Sequence, residues 1–277
     1  MLTTLREVLG EARRGGYAVG LFNTVNLEMA RAVVYAAEER RSPAILGSAE
    51  VLLRHCSLRE LADLLLPMIR RSPVPLVLHF DHGLTEGKVI EALRCGFSSV
   101  MYDCSGDPYG ENVRKCAEMA RIAHAFGATL EAELGHVGSG SDADDGSVYT
   151  QPEQAADFCA RTGVDALAVA IGTAHGPYLK KPELDLDRLA QIRAAVDTPL
   201  VLHGGSGLSD GDFRSCIKGG VTKINIFTDL DRAGAEGARR ALEAGERALT
   251  GLLPAATAAI QDCVAHKMDL FGSSGRA

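Results

Sequence analysis

The sequence predicts an α/β fold, a single (β/α)₈ TIM barrel with extra terminal helices, on three observations. The chain has 277 residues, 46% of them hydrophobic, enough for one large core and close to the usual size of a complete barrel. Short β-branched apolar runs alternate with longer segments of helical period, the pattern of repeated strand–helix units on a parallel sheet. Eight such runs occur, the number that closes a barrel.

In chain order, Leu2 to Arg14 is an amphipathic, charged helical segment ahead of the repeat. The strands follow as YAVGLF from Tyr17, PAILG from Pro43, PLVLHF from Pro75 and FSSVMY from Phe97. After the fourth, Asp107 and Pro108 read as the cap and first turn of a helix that runs through Ala125 and ends at Gly127. The remaining strands are ATLEAE from Ala128, DALAVAI from Asp165, PLVLH from Pro199 and VTKINI from Val221, and Leu252 to Leu270 is a second helix outside the repeat. No linker interrupts the pattern, so residues 1–277 are read as one domain. The longest non-periodic stretch, Gly135 to Thr150, is rich in Gly, Ser and Asp, and loops of that length are either disordered or functional lids.

A formal charge of -7 excludes generic binding to nucleic acid or an anionic membrane, since both need a positive surface. A phosphorylated substrate must then meet locally placed cations. Seven scattered cysteines without paired spacing suit a reduced compartment. The amino terminus does not read as a signal peptide and no apolar run reaches spanning length, so the expectation is a soluble, cytoplasmic protein.

Barrel enzymes build their sites from the carboxyl ends of strands, and the unusual polar residues fall there. Asn23 follows the first strand, Asp81 and His82 the third, and Asp103 the fourth; Glu133 ends the fifth, His175 follows the sixth, His203 ends the seventh, and Asn225 lies late in the eighth. Imidazoles with a carboxylate are the usual ligands of a catalytic zinc that keeps one position open. His79 reads differently: alternation points it to the opposite side of its strand from Leu78 and Phe80, as a hydrogen-bonded core histidine. His55, His124 and His266 fall in helical stretches. Two glycine-rich turns, GTAHG (172–176) and HGGSG (203–207), share the rim and permit the close backbone approach that barrel phosphate sites use. Lys180 and Lys181 are candidate cations for the phosphate.

Segments spread over nearly the whole chain resemble the class II ketose-bisphosphate aldolases, the family of fructose- and tagatose-bisphosphate aldolases. They are FNTVNLEMARAVVYAAEE, LVLHFDHG, GFSSVMYD, EAELGHVG, DALAVAIGTAHG, LVLHGGSGL, KINI with Thr228 and Asp229, and the terminal LFGSSGRA. The resemblance implies that His82, His175 and His203 bind a divalent ion, zinc or another transition metal, with Glu133 as an alternative or additional ligand and Asp103 in the same set. It implies that Asp81 is the acid/base for the C4 hydroxyl. Gly176, Gly204, Gly205, Ser206 and Thr228 would cradle the C1 phosphate, with Asn23 and Lys180 on the substrate and Asn225 beside the reacting carbons. A monovalent cation (Na⁺ or K⁺) near the phosphate and a homodimer or homotetramer also follow from it.

The implied reaction is metal-dependent aldol cleavage or condensation of a phosphorylated ketose through dihydroxyacetone phosphate and an aldehyde. Zinc as a Lewis acid spreads the carbanion charge onto oxygen, no Schiff-base lysine is needed, and Asp81 moves the hydroxyl proton. Four departures concern the substrate side. The family's loop glutamate is replaced by Ser141, with Asp142, Asp144 and Asp145 nearby; either Asp142 substitutes through a shifted, shortened loop, the reading taken here, or protonation of the enediolate is slow, rerouted or absent. Phe227 stands where the family places Asp or Ala. After the fourth strand the family's Asp-Gly-Ser-His becomes Asp103-Cys104-Ser105-Gly106, and Ala49 replaces a small hydroxyl residue. Together they point to a non-standard sugar phosphate in a specialised pathway. Cys104 reads as a small buried filler beside the rim. A metal-dependent hydrolase and a catalytically impaired sugar-phosphate binding protein are the alternatives, and the adjacent Asp81 and His82 argue against both.

Overall fold

The chain closes eight parallel strands into a barrel in a computed structural model that describes residues 1–138, 148–176, 178 and 182–277. A two-residue strand β1 (Leu2–Thr3) precedes the first helix α1 (Leu5–Gly15); the repeat then runs β2 (Val19–Asn23), α2 (Leu27–Arg40), β3 (Ala44–Ala49), a 3-10 turn (Glu50–Leu52) and α3 (Leu58–Arg71). It continues through β4 (Leu76–Gly83), α4 (Glu86–Cys95), β5 (Ser99–Tyr102), α5 (Tyr109–Ala125), β6 (Thr129–Leu134), α6 (Pro152–Thr162), β7 (Ala166–Val169) and α7 (Leu186–Ala195). It ends with β8 (Leu200–Leu202), α8 (Asp210–Lys218), β9 (Val221–Ile226), α9 (Thr228–Glu243) and α10 (Leu249–Phe271). Strands β2 to β9 pair in sequence, β9 returns to β2, and the pairing of β4 with β5 completes the ring.

The eight predicted runs become β2 to β9. Alternation sorts their side chains into two cores. Outward residues such as Phe22, Leu46, Leu78, Phe80, Leu130 and Leu202 pack under the helices. Inward residues Val19, Leu21, Ile45, Val77, Ala166, Ala168 and Val201 fill the lower barrel and meet Leu5, Val8, Leu9 and Ala12 of α1. The first helix thus seals the amino-terminal mouth of the barrel, leaving the carboxyl-terminal mouth for the site. α10 lies outside the repeat, as expected, and the chain end is tied back by Gly275 and Ala277 donating to the carbonyls of Arg40 and Arg41.

Local chemistry sets the helix starts. Thr4 with Glu7, Ser57 with Glu60 and Ser209 with Asp212 form capping boxes, satisfying amide groups that a first helical turn leaves free. Three expectations are corrected. Leu2 and Thr3 are not helical but pair in parallel with Leu76 and Val77, so α1 starts at Leu5. Asp107 does not cap α5, because its carboxylate binds Lys115 Nζ at 2.7 Å and the N-cap position falls to Pro108. His55 lies in a turn, while His124 and His266 are helical.

Candidate metal centre and active site

Strand alternation brings three polar pairs, stacked as two layers, to the open end of the barrel. His79 and Asp81 on β4, Glu131 and Glu133 on β6, and Lys223 and Asn225 on β9 are each two residues apart, so every pair faces the barrel axis. All six are buried. His82 breaks the alternation: its φ of 43° places a non-glycine residue in the left-handed region, beside a register shift between Phe80 and Gly83. Such strain persists where surrounding structure over-determines it. Its result is that two consecutive residues, Asp81 and His82, both line the same pocket.

The three histidines predicted as ligands converge. The ring centroids of His82 and His203 lie 4.4 Å apart, those of His82 and His175 4.8 Å, and those of His175 and His203 5.7 Å. One ring nitrogen from each lies within 4.8 Å of the others. His82 Nε2, His175 Nε2, His203 Nδ1 and Glu133 Oε2 are buried without a hydrogen-bond partner. A buried polar atom left unsatisfied costs about 1–3 kcal/mol, and three histidine nitrogens converging in this state are what a cation site requires of its donors. His203 Nδ1 and Glu133 Oε2 are 3.2 Å apart, so the carboxylate belongs to the same focus. The donor set of imidazoles and a carboxylate matches zinc chemistry.

Three of these four candidate donors are held from behind. Asp103 Oδ2 lies 2.8 Å from His82 Nδ1 and Asp103 Oδ1 accepts from the Ser105 amide. Both oxygens are engaged, which makes Asp103 the carboxylate that orients His82, although it also falls in a second possible group with His82 and Glu133. Glu133 Oε1 accepts from the Val137 amide at 3.0 Å. His203 Nε2 lies 2.9 Å from Glu131 Oε1, turning Nδ1 toward the other histidines.

Asp81 is fixed between two amides. Asn23 Nδ2 donates to Oδ2 at 2.9 Å and Asn225 Nδ2 donates to Oδ1 at 3.0 Å. Lys223 Nζ donates to Asn225 Oδ1 at 2.8 Å and to Glu131 at 3.0 and 2.8 Å. An ammonium only donates, so Lys223 settles which way the Asn225 amide faces. A continuous buried chain therefore runs Asn23–Asp81–Asn225–Lys223–Glu131–His203. Burial opposes ionisation of Asp81, but His82, Lys223 and His203 outweigh it and hold the carboxyl far below the usual range. Glu131 is likewise opposed by burial and held at about 2, chiefly by Lys223. Burial drives His79 down to about 3, with Lys223 adding to the effect. His79 Nδ1 meets Ser99 Oγ at 2.7 Å, as expected of a hydrogen-bonded core histidine, and it faces the barrel interior with Asp81. Burial opposes protonation of His203, but Glu131 and Glu133 overcome it and raise the imidazole to about 10.

The pocket encloses about 420 Å³ and gathers Asn23, Asp81, His82, His175 and Asn225 with Gly176, Gly204, Gly205, Ser206 and Thr228. Gly176 and Gly204 have φ of 82° and 65°; a Cβ on Gly204 would stand 2.3 Å from the Ala174 carbonyl oxygen. The Tyr178 hydroxyl donates to the Gly204 carbonyl at 2.7 Å and accepts from the Ala174 amide at 3.1 Å, joining the two glycine turns. Ser206 Oγ accepts from the amides of Phe227 and Asp229, each at 3.3 Å, at the amino terminus of α9. Helix amino termini and glycine amides favour anions. Lys180, Lys181, Ser141, Asp142, Asp144 and Asp145 lie outside the described residues. Cys104 is buried in the outer core as a filler and is in none of the described donor groups.

Glu131, Lys223 and Tyr178 were not singled out from the sequence. For Glu131 and Lys223 the signal was present: a charge two residues before Glu133 or Asn225 on a barrel strand must share its face. Nothing local to Tyr178 marks it.

Comparison with known proteins follows the same lines. The family model described as fructose-bisphosphate aldolase class-II matches residues 3–276. The chain is 38% identical over 283 residues to the fructose-bisphosphate aldolase of Geobacillus stearothermophilus, covering 100% of this chain and 99% of that protein. The crystal structure of the YdjI aldolase from Escherichia coli K12 superposes with a TM-score of 0.90 at 34% identity, covering 100% of both chains. Fructose-bisphosphate aldolase of Campylobacter jejuni shares the fold, with a TM-score of 0.84 at 23% identity over 100% of this chain and 97% of that one.

Proposed function

Because the chain belongs to the class II fructose-bisphosphate aldolase family, we propose that it catalyses metal-dependent aldol cleavage and condensation of a phosphorylated ketose, with dihydroxyacetone phosphate as the three-carbon partner. The observation that supports this most is the meeting of the unpartnered nitrogens of His82, His175 and His203 with an ionised Asp81 in one pocket. His82, His175 and His203 would hold the ion, with Glu133 as an additional ligand. When bound, a divalent cation supplies a Lewis acid that takes up negative charge at the substrate carbonyl.

The remaining steps belong to the protein. Asp81, kept ionised and aimed by Asn23 and Asn225, accepts the C4 hydroxyl proton as the C3–C4 bond breaks. The bonding pair passes to C3 and the aldehyde forms at C4; in condensation the same proton returns from Asp81. Gly176, Gly204, Gly205, Ser206 and Thr228 bind the C1 phosphate through amides, hydroxyls and the amino terminus of α9, with Lys180 as a further cation. Asp142 is assigned the proton delivery to C3 on sequence grounds. A homodimer or homotetramer and a cytoplasmic setting are part of this reading; among the described residues no helix is long and apolar enough to cross a membrane.

The test is cleavage of a panel of ketose 1-phosphates and 1,6-bisphosphates, before and after chelation and with zinc restored. Release of dihydroxyacetone phosphate that disappears on chelation and returns with zinc is expected. Asp81→Asn should lower it by about 10²–10⁴-fold, and Asp142→Ala should slow proton exchange at C3 while sparing zinc binding. No metal-dependent release from any member of the panel would defeat the proposal.

A further inference from the structure

The two ends of the pocket are chemically unlike. Its phosphate end comes from residues following β7, β8 and β9, where glycine amides, Ser206 and the start of α9 gather. Across the ring, residues following β3 and β4 supply Ala49, Val51, Leu52 and Leu84, and Phe227 and Ile226 extend the apolar lining. Among the described residues lining the pocket there is no lysine or arginine. The charges beside the apolar rim are outside the lining: Glu50 Oε2 accepts from the Leu84 amide at 2.7 Å and Arg54 is exposed in the turn that follows Leu52. Lys88, on the neighbouring α4, donates to Glu91 at 2.8 Å.

A second phosphate packed against this lining would lose water without gaining a cation from the described residues that line it. Burying an unpaired charge is strongly unfavourable. An alkyl terminus gains instead, since Val51 and Leu84 are 64% and 54% exposed at the mouth and apolar area leaving water is stabilising. Large exposed apolar side chains continuous with a binding site mark contact with something apolar.

Resting on the aldolase reading above, we infer that the pocket is built for one phosphate, and that the aldehyde partner is uncharged and carries an alkyl or deoxy terminus packed against Leu52, Leu84 and Phe227. In condensation C3 of dihydroxyacetone phosphate gives up a proton to the base assigned above, the freed electron pair bonds C3 to the aldehyde carbon, and the carbonyl π pair becomes the C4 alkoxide, protonated from Asp81. The product is a ketose 1-phosphate whose far end is apolar. The class of reaction that supplies the substrate for cleavage is therefore phosphorylation of a deoxyketose at C1 alone.

The test uses the zinc-loaded protein with dihydroxyacetone phosphate and three aldehydes: butanal, lactaldehyde and D-glyceraldehyde 3-phosphate. Carbanion formation is followed separately, by hexacyanoferrate(III) oxidation of dihydroxyacetone phosphate with no aldehyde present. The expected result is carbanion formation together with a kcat/KM for butanal or lactaldehyde about tenfold or more above that for glyceraldehyde 3-phosphate. Leu84→Arg and, independently, Leu52→Lys should reverse the preference by placing a cation at the rim; Leu84 is half exposed, so its variant has room. Carbanion formation with glyceraldehyde 3-phosphate equal or preferred overturns this inference and leaves the aldolase reading intact. Absence of both carbanion and carbon–carbon bond formation overturns the aldolase reading and this inference with it.

Discussion

At the scale of single residues, Lys223 connects the two halves of the site. It bridges Glu131, which orients His203, and Asn225, which holds Asp81. Removing one partner of a buried ion pair leaves an uncompensated charge and costs about 3–5 kcal/mol. Lys223→Met should therefore lower stability to chemical denaturation by about that amount, and adding Glu131→Gln should recover most of it. A structural effect alone would end there. In the double variant, however, Asn225 Oδ1 has lost its Lys223 donor and only the bond to Asp81 holds the amide, so kcat should stay depressed with zinc binding retained. The histidines and Asp81 were legible in the sequence because they sit at strand ends. Lys223 and Glu131 lie in strand interiors, where period-two facing identifies them only once the strands are known to enclose a barrel.

Elements account for how the site is shaped. The eight barrel strands were readable because each is a short apolar run bounded by glycine, proline or polar residues. The Leu2–Thr3 strand was not, since two residues carry no period and their pairing with β4 is set by tertiary position. Asp107 failed as a cap because a lysine elsewhere on the helix captured its carboxylate, a competition local spacing does not reveal. The glycine turns after β7 and β8 give an element-level prediction. Gly204 combines positive φ with a Cβ position 2.3 Å from a carbonyl oxygen, whereas Gly176 has positive φ and open space. Gly204→Ala should cost more than the roughly 1–3 kcal/mol of a left-handed non-glycine residue. Gly176→Ala should cost no more than that, as read by paired denaturation curves.

For the whole molecule, α1 seals one mouth of the barrel and the polar network occupies the other, so stability and function share one buried interior. This couples stability to acid. His79 has a folded pKa of about 3 against an ordinary 6.5, so the unfolded chain takes up the proton first as pH falls. Its contribution is full above 6.5 and is lost progressively between 6.5 and 3. Metal-free protein should lose roughly 1–2 kcal/mol from this group between pH 7 and pH 5. His79→Gln should flatten that slope without removing it, because His175, depressed to about 4 mainly by burial, acts in the same direction. His203 is shifted upward, to about 10, so its contribution is full below 6.5 and is lost as pH rises toward 10; between pH 7 and pH 5 it partly offsets the loss from His79 and His175.

The central claim is that His82, His175 and His203 form one metal site that serves carbon–carbon bond chemistry with Asp81. The most direct measurement titrates zinc into chelated protein while following condensation of dihydroxyacetone phosphate with the aldehyde panel. The predicted result is no bond formation without zinc, a rise that reaches its plateau near about one equivalent per chain, and loss of both tight zinc binding and turnover in His175→Ala. Bond formation that persists in fully chelated protein, or zinc-saturated protein that joins no aldehyde to dihydroxyacetone phosphate, would contradict it.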